Sequence, residues 1–365
     1  MNIYAHKNVK DMFTELNEES CLNVLANAGP ILRYRTTTEI LGEKGYKVEN
    51  LRDELLSCDL VLKWLSNLRP RFDRNMHGSA SDSYENAMGK LYDFGLRRGV
   101  GELDARVQPY LELIEGKRKL EDSEYMGNFY FVMVAGFLAM VGYGDHEGVI
   151  EVLTDRLDRV YDYVRHGDLS DFYVSPEGFK GIPKAFRNQK LVNPKYYDER
   201  GLALPTIYDL LGFLHSENLM NDSTEREKVE DIVKLILSEE YQTLPEGYGY
   251  VWKPPKKYYA MGWSIHVPLF MDKEMGWRDF SRLLLYLGIL KKADTARNHP
   301  WYNKSMKYLS GFIDQKGVPL LPSKALPEKK VGYWVGGMRM GLEPGRRTRV
   351  VVKRESAFRL LSYLS

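Results

Sequence analysis

The sequence contains little cysteine and no apolar run long enough to span a membrane. Cys21 and Cys58 are the two cysteines among 365 residues, so we expect neither a disulfide framework nor a cysteine-rich zinc cluster. The most apolar stretch, residues 129–142, is shorter than the about 20 residues that a spanning helix needs. Residues 1–11 also lack the pattern of a secretory signal. These features predict a cytoplasmic protein without a membrane span.

An excess of charge of either sign is also lacking. Lys and Arg number 52 against 50 Asp and Glu, which leaves a net charge of +2. Such a balance argues against a global electrostatic field for nucleic acid, so we do not expect that partner. The 44% of hydrophobic residues suffices for a sizeable core and excludes a disordered chain. At about 150 residues per domain, the length fits two domains or one large helical domain.

The sequence does contain an alternation of two kinds of predicted helix. Helices of the first kind, the inner helices, are apolar on all sides and are predicted over residues 31–42, 84–96, 129–142, 206–219, 279–290 and 356–364. Helices of the second kind, the outer helices, carry one apolar stripe and begin near Asp59, Leu103, Ile150, Val229 and Trp301. A period of about 40 to 50 residues is typical of helical-pair repeats, which bury their faces by stacking. We therefore predict an all-α fold of about six inner and outer helix pairs.

Three connections are too long for plain turns and are rich in Pro, Gly, Tyr and Trp. They cover residues 165–204, 243–276 and 315–353. Loops longer than about 12 to 15 residues inside a domain are commonly functional, so we expect long aromatic loops at one rim of the fold. The last connection also carries a hairpin pattern, with residues 331–340 and 346–354 as its two strands.

Segments between the predicted helices carry a second signal. Residues 241–250 (YQTLPEGYGY) and 314–317 (DQKG) are similar to the Gln, Asp-Gly and Trp motif that ends many repeats of the α/α-toroid superfamily. That superfamily contains squalene-hopene cyclases, class II terpene cyclases and protein prenyltransferase β subunits. Residues 29–35, 64–96 and 353–359 resemble segments of its uncharacterised bacterial members. The resemblance implies inner and outer helices that alternate around a barrel, with an apolar ligand in a central cavity.

The known catalytic motifs of this superfamily are absent from the sequence. There is no Asp-x-Asp-Asp motif, which protonates the substrate of the cyclases, and no Asp-Asp-x-x-Asp magnesium motif. Cys21 and Cys58 lie before or outside the inner-helix positions that hold the prenyltransferase zinc. We therefore predict no metal and no cofactor, and the sequence leaves open whether the protein is an enzyme.

Polar residues on otherwise apolar inner helices are the candidate catalytic groups, because burying them without partners is costly. The predicted acids or bases are Glu39, Glu85 and Glu355, and the predicted anion-binding or carboxylate-binding partners are Arg35, Arg282 and Arg359. Structural alternatives account for some of the same residues. Arg35 and Glu39 are spaced for an ion pair on one helix, and Ser83 or Asp82 could cap the helix that begins beside Glu85.

Aromatic side chains and one histidine are the candidate ligand contacts. The segment 258–266 places aromatic residues around His266, and such residues can stack on a sugar or stabilise a cation. Packing of the loop is the commoner explanation for such residues. Besides the three arginines, the predicted ligand-binding residues are Tyr34, Tyr84, Tyr258, Trp263, His266 and Trp334.

Two charged segments allow both a functional and a structural interpretation. Asp155, Asp158 and Asp162 have the spacing of metal ligands on a helix, but interleaved arginines favour a solvated charged face. The segment 339–359 is basic. It could bind a phosphate or polyanion, or it could pair with the acidic helix over residues 222–240.

Together these observations predict an N-terminal helical extension over residues 1–28 and a single α/α-toroid domain over residues 29–365. The leading functional hypothesis is that an apolar small molecule, an isoprenoid or a lipid, binds in the central cavity. The first alternative is a carbohydrate-active toroid enzyme with a sugar platform of Trp252, Trp263, Tyr258 and Trp334. The second alternative is a non-enzymatic scaffold with a basic C-terminal surface.

Overall fold

A computed structural model describes residues 15–119, 127–271, 274–346 and 348–364. The chain divides into two compact units. Unit 1 consists of Met1–Gln108 and Pro268–Ser365, and unit 2 consists of Pro109–Val267. The prediction of a single domain over residues 29–365 stays a prediction.

The described residues are mainly helical. Their helices are α1 (Glu18–Ala26), α2 (Pro30–Arg35), α3 (Tyr46–Leu56), α4 (Asp59–Asn67), α5 (Tyr84–Asp93), α6 (Gly101–Ile114), α7 (Gly127–Leu138), α8 (Glu147–His166), α9 (Ile207–His215), α10 (Glu217–Asn221), α11 (Ser223–Ile236), α12 (Glu239–Gln242), α13 (Trp277–Leu290), α14 (Asp294–Arg297), α15 (Pro300–Ser310) and α16 (Arg349–Leu364). Two π-helical turns, Thr36–Ile40 and Ala139–Tyr143, continue α2 and α7. Within the same ranges, no helix combines the length and the apolar character that crossing a membrane requires.

Short strands occur in the described part of unit 2. They are β1 (Tyr173–Val174), β2 (Leu191–Val192), β3 (Tyr197–Asp198), β4 (Gly201–Leu202), β5 (Tyr250–Lys253) and β6 (Lys257–Ala260). One sheet has the order β1-β2-β5-β6, with β2 and β5 parallel and the other neighbours antiparallel. β3 and β4 form a separate hairpin in which Tyr197 pairs with Leu202.

The all-α prediction is therefore correct for most of the chain and wrong for two of the long connections. Residues 165–204 and 243–276, predicted to be long aromatic loops, contain the strands. Their Tyr, Val and Trp residues favour extended structure, as in β5 (YVWK). Each strand is too short to show the alternation of apolar and polar residues from which a strand is predicted.

Each inner and outer helix that the apolar pattern predicts corresponds to a helix in the structure. All nine residues of the inner helix α9 are buried, whereas the outer helix α8 buries one stripe. α9 packs closely against α7. A methyl group added to Gly136 of α7 would lie only 2.8 Å from the backbone oxygen of Tyr208 on α9. The arrangement of the helices in a ring stays a prediction.

The hairpin predicted near the C-terminus is wrong. Residues 349–364 form α16, although the run Val350–Val352 favours a strand. α16 packs against α1 and α13, and its residues from Glu355 to Leu361 are all buried. Burial of this helix in unit 1 outweighs the weak strand propensity of its first turn. In the preceding segment, an isolated bridge joins Glu328 to Arg339.

The predicted N-terminal extension lies partly outside the described residues, since residues 1–14 are not described. The remainder contains α1, which buries Cys21 and Leu25 and packs against α16. Asn17 caps this helix by accepting a hydrogen bond from the Ser20 N–H at 2.8 Å. The extension is thus helical over the residues that can be assessed.

The segment before α16 enters the core of unit 1 through Trp334. This side chain is 1% exposed, and its indole Nε1 donates to Asp93 at 2.8 Å. Its backbone N–H donates to the side-chain oxygen of Asn86 at 2.7 Å. Gly89 on α5 allows the approach, because a β-carbon there would lie 2.4 Å from the indole ring. Trp334 is therefore a packing residue between α5 and this segment.

A buried ammonium group holds the same segment. Lys90 of α5 is 0% exposed and donates to Glu328 at 3.1 Å and to the backbone oxygens of Arg339 and Gly341. The Phe94 ring lies 4.9 Å from its Nζ. Because a buried charge is costly unless it is paired, these partners fix where the segment can lie.

Glu343 connects the segment to the start of α2. Its carboxylate is 4% exposed and accepts a hydrogen bond from the backbone N–H of Gly29, the residue before the helix. Negative charge is favourable at a helix N-terminus. Burial nevertheless raises the pKa of Glu343, while Gly29 and Arg354 act in the opposite direction.

We expect Gly89→Ala to lower the free energy of unfolding by about 1–3 kcal/mol, because the added methyl group would overlap the Trp334 ring. The matched control is Gly101→Ala at the start of α6, where nothing lies within 4 Å of the new carbon. It should be neutral or stabilising by less than about 1 kcal/mol. Urea denaturation measures both, and equal stabilities would contradict the packing described for Trp334.

The raised pKa of Glu343 predicts a pH-dependent effect of Glu343→Gln. A carboxyl group whose pKa is higher in the folded state stabilises the fold at low pH, and this contribution is lost as the pH rises through the folded-state pKa. The variant should therefore gain stability relative to the wild type over the pH range above about 4.5, the ordinary pKa of a glutamate. Thermal unfolding across that range measures the difference. A stability difference that stays constant across that range would refute the assignment.

Candidate functional site

The candidate site is a cavity of about 430 Å³ in unit 2. Ligand-binding cavities commonly have volumes of about 300–1,000 Å³, so this one can hold a small molecule. Its walls come from the start of α7, from the β3–β4 hairpin, from β5 and from residues 261–263, which follow β6. The apolar and aromatic lining residues are Phe129, Val132, Tyr197, Leu202, Trp252, Pro254, Met261 and Trp263.

Trp263 has an unusual backbone conformation. Its φ angle is +68°, in the left-handed region that residues other than glycine rarely adopt. Its backbone oxygen accepts a hydrogen bond from the N–H of Ile207, the first residue of α9, at 2.9 Å. Its ring packs edge-on against Tyr208, with the ring centres 5.9 Å apart. The fold therefore holds the Trp263 side chain at the cavity wall at some cost in backbone strain.

The β3–β4 hairpin forms one complete wall. All six of its residues, from Tyr197 to Leu202, line the cavity. Asp198 closes the turn by accepting a hydrogen bond from the Arg200 N–H at 2.9 Å. The other carboxylate oxygen of Asp198, Oδ2, lies 3.3 Å from Nη2 of Arg159 on α8 and 3.2 Å from Nη2 of Arg200. These charge contacts attach the hairpin to α8.

Arg156 of α8 holds the base of this wall. It is 4% exposed and forms a bidentate ion pair with Asp209 of α9, with N–O distances of 2.8 and 2.9 Å. It also donates to the backbone oxygen of Leu202 at 2.5 Å and to that of Leu204 at 3.1 Å. One side chain thus joins α8, α9 and the hairpin, and bidentate geometry of this kind is specific to arginine.

Asp209 has a second role at the start of α9. It is 0% exposed and accepts hydrogen bonds from the backbone N–H and the hydroxyl of Thr206, at 2.6 and 3.1 Å. This arrangement is a capping box, in which the helix start is closed by reciprocal hydrogen bonds. The Thr-Ile-Tyr-Asp spacing in the sequence is the signal that identifies it.

The polar part of the cavity can bind a ligand by hydrogen bonds. Asn128 and Glu199 line it, and neither side chain has a hydrogen-bond partner among the described residues. Arg200 and Lys253, which are both exposed, add positive charge to the lining. Within the described ranges, no group of three or more His, Cys, Asp or Glu side chains is placed to hold a metal ion. The cavity therefore combines an aromatic interior with a mixed polar edge.

Of the residues that the sequence predicted for the site, Trp263 lines this cavity, as does Trp252 from the alternative sugar platform. Tyr258 and His266 also belong to unit 2 but make structural contacts. The Tyr258 hydroxyl donates to the backbone oxygen of Lys180 at 2.9 Å. His266 lies between the Ser264 hydroxyl and the Leu244 backbone oxygen, each 2.9 Å from a ring nitrogen.

The three predicted carboxylates belong to unit 1 and do not lie together in the unit 2 cavity. Glu39 binds Arg35 through two contacts of 2.9 and 2.6 Å, as the ion-pair alternative predicted. Glu85 accepts a hydrogen bond from the Gly78 N–H at 2.8 Å. Glu355 accepts from the N–H groups of Leu342 and Glu343. Each carboxylate thus supports local structure, and a catalytic role for them stays a prediction.

The other predicted residues of unit 1 also have structural surroundings. Arg282 pairs with Asp279 at 2.7 Å, and Arg359 donates to the backbone oxygen of Met340 at 2.6 Å. Tyr84 is 2% exposed and Tyr34 is half-buried, while Trp334 fills the core position described above.

The structure shows the ion pairs of both charged segments. Asp158 pairs with Lys228 and Asp162 with His166, as a solvated face predicts, but Arg156 and Arg159 are buried rather than solvated. In the basic C-terminal segment, the ion pairs are Arg346–Glu355, Lys353–Asp314 and Arg354–Glu343. The acidic partners therefore come from unit 1 and not from the helix over residues 222–240. Arg347 lies outside the described residues.

Comparison of the chain with protein-family models, with curated proteins and with solved structures finds no match. The resemblance to the α/α-toroid superfamily therefore stays a prediction.

The contacts of Arg156 predict a large loss of stability for Arg156→Met, about 3–5 kcal/mol, because Asp209 would remain buried without a charge partner. Urea denaturation measures this loss. The matched control, Arg200→Met, removes a contact to the half-buried Asp198 and should cost less than about 1 kcal/mol.

A second variant separates charge from packing. Arg156→Met combined with Asp209→Asn removes the uncompensated charge and keeps an acceptor for Thr206, so it should recover much of the stability. A double variant as unstable as Arg156→Met would show that the ion pair is not what holds this wall.

Proposed function

We propose that the protein binds an apolar small molecule, an isoprenoid or a lipid, in the cavity of unit 2. The observation that carries the proposal is Trp263, a tryptophan kept in a left-handed backbone conformation at the wall of an aromatic cavity. Backbone strain of this kind costs about 1–3 kcal/mol and is concentrated at functional sites.

The surroundings of Trp263 support an apolar ligand. Phe129, Trp252 and Trp263 line the cavity and are each only half-buried. Covering apolar surface contributes about 25 cal/mol per Å², so a ligand that covers these rings gains binding energy without a polar partner. The resemblance to the toroid superfamily, whose ligands are isoprenoids, is consistent with this ligand class.

The proposal concerns binding rather than catalysis. Asp209 is bound by Arg156 and Thr206, and Asp198 is bound by Arg200 and contacted by Arg159. These two carboxylates of the cavity therefore support its walls. Glu199 remains as a carboxylate with no hydrogen-bond partner among the described residues, and one such group is suited to orienting a polar end of the ligand.

A cytoplasmic location is part of the same proposal, and the cysteines support it. Cys21 and Cys58 are both free thiols. Cys21 is buried, and burial raises the pKa of its thiol to about 12, which keeps it protonated and unreactive. Free thiols are typical of proteins in a reducing compartment.

A carbohydrate ligand is the second candidate, because two of the four residues of the predicted sugar platform, Trp252 and Trp263, do line the cavity. Asn128 and Glu199 offer the hydrogen-bonding groups that sugar hydroxyls need. Tyr258 and Trp334, the other two platform residues, are buried elsewhere. The two candidates differ in the ligand that should bind.

The test measures binding of farnesol, oleate and cellotetraose by calorimetry. Farnesol or oleate should bind the wild type, and Trp263→Ala should weaken binding at least about tenfold because it removes a large apolar contact. The matched control is Trp277→Ala, which removes a half-buried tryptophan of unit 1 and should leave binding unchanged.

Two results would count against the proposal. Binding of cellotetraose alone, lost in Trp263→Ala, would replace the apolar ligand by a carbohydrate. Binding of farnesol that both tryptophan variants retain would place the ligand outside this cavity.

A further inference from the structure

Two segments of unit 2 carry positive charge that no acidic neighbour in the same segments offsets. Residues 178–191 and 250–260 contain no Asp or Glu. The basic patch consists of their exposed cationic residues, Lys180, Lys184, Arg187, Lys190, Lys253, Lys256 and Lys257. Because the whole chain has a net charge of only +2, the rest of the protein is net negative and the positive charge is concentrated here.

The fold brings these two segments together. β2 pairs with β5 through Leu191 and Tyr250, and the Tyr250 N–H donates to the backbone oxygen of Lys190 at 3.0 Å. The Tyr258 hydroxyl donates to the backbone oxygen of Lys180 at 2.9 Å. A small hydrophobic cluster of Leu191, Tyr250 and Tyr258 lies beneath them. The sheet therefore displays cations from both segments on one small structure.

Most of this charge is not neutralised within the protein. Lys180, Lys184, Arg187, Lys190 and Lys256 form no ion pair among the described residues. The basic C-terminal segment behaves differently, since Arg346, Lys353 and Arg354 each lie beside a carboxylate. Like charges that repel each other disfavour the folded state, so a surface of this kind is suited to an anionic partner.

We propose that the basic patch docks the protein on the surface of an anionic lipid bilayer. Half-buried apolar side chains, Phe179, Ile182 and Trp252, lie among the cations. A combination of lysines with aromatic and aliphatic side chains is typical of proteins that bind the membrane interface. The patch is also continuous with the cavity, because Trp252, Lys253 and Pro254 line its wall.

This continuity gives the docking a purpose. An apolar ligand partitions into membranes in preference to water, so docking on a bilayer would shorten the path of the ligand through water. Ligand exchange as a reason for docking rests on the proposed function. The positive charge of the patch does not depend on the proposed function.

Two observations favour a bilayer over nucleic acid. The Phe186 ring is stacked on Tyr250, with the ring centres 5.0 Å apart. These rings pack against each other, whereas single-stranded nucleic acid is bound by aromatic rings on which bases can stack. Six of the seven cations are lysines rather than arginines, and lysine lacks the planar fork that recognises individual phosphates.

The experiment is sedimentation of the full chain with vesicles of phosphatidylcholine containing about 30% phosphatidylserine, and with vesicles of phosphatidylcholine alone. The protein should bind the anionic vesicles and not the neutral ones. Binding should be lost between about 0.1 and about 1 M NaCl, because the Debye length falls from about 10 to about 3 Å.

Charge-reversal variants locate the surface. Lys180→Glu combined with Lys184→Glu and Lys190→Glu should weaken vesicle binding about 100-fold or more. The matched control combines Lys63→Glu, Lys234→Glu and Lys324→Glu. These three lysines are also exposed and form no ion pair among the described residues. The control has the same net charge and should retain most of the binding. Thermal unfolding checks that both triple variants are folded.

Several results would overturn the proposal. These are no binding to anionic vesicles at about 0.1 M NaCl, equal loss in the two triple variants, or patch-dependent binding of a single-stranded RNA without vesicle binding. The last result would assign the patch to nucleic acid. Farnesol binding is measured without vesicles, so the two proposals can fail separately. A protein that binds farnesol but not anionic vesicles would refute the docking alone. A protein that does not bind farnesol would refute the proposed function.

Discussion

Cations buried away from water must be paired, and this constraint determines where the long connections of the protein lie. Lys90 is completely buried in unit 1, and its partners are Glu328 and two backbone oxygens of the segment before α16. Arg339 of that segment is 2% exposed and donates to the backbone oxygens of Ser79, Lys329, Lys330 and Gly332. A segment with little regular structure is thereby held in one conformation, since leaving either charge unpaired costs several kcal/mol.

In unit 2 the same constraint forms the candidate site. Arg156 satisfies its charge with Asp209 and its remaining donors with backbone oxygens next to the hairpin. The start of α9, which Asp209 caps, lies beside Trp263, whose backbone oxygen bonds Ile207. The ion pair, the helix cap and the tryptophan of the cavity wall are therefore parts of one arrangement. The basic patch adjoins this wall through Trp252 and Lys253, so the cavity and the charged surface belong to the same structure.

The helices were predictable because their apolar residues recur at helical spacing over long stretches, as in α8 and α11, where burial follows one stripe. α3 was not singled out, and the strands were not predicted because each has only two to four residues. The sequence predicted a strand at the start of α16, where three valines follow one another. The contacts with α1 and α13 that stabilise the helix come from distant parts of the chain. The sequence predicted that the interleaved arginines of α8 are solvated, because their partners Asp209 and Asp198 lie about 40 or more residues away in sequence.

The sequence by itself determined the helical character, the positions of the main helices and the absence of the superfamily's catalytic motifs, because these depend on residues close together in the chain. It also marked Trp252 and Trp263 as aromatic candidates. Only the tertiary structure decided that the hairpin Tyr197–Leu202 forms a cavity wall and that two separated basic segments share one sheet. Buried ion pairs and paired strands join residues that are far apart in the sequence, and no local pattern predicts such pairs. The site could therefore be identified only in the folded chain.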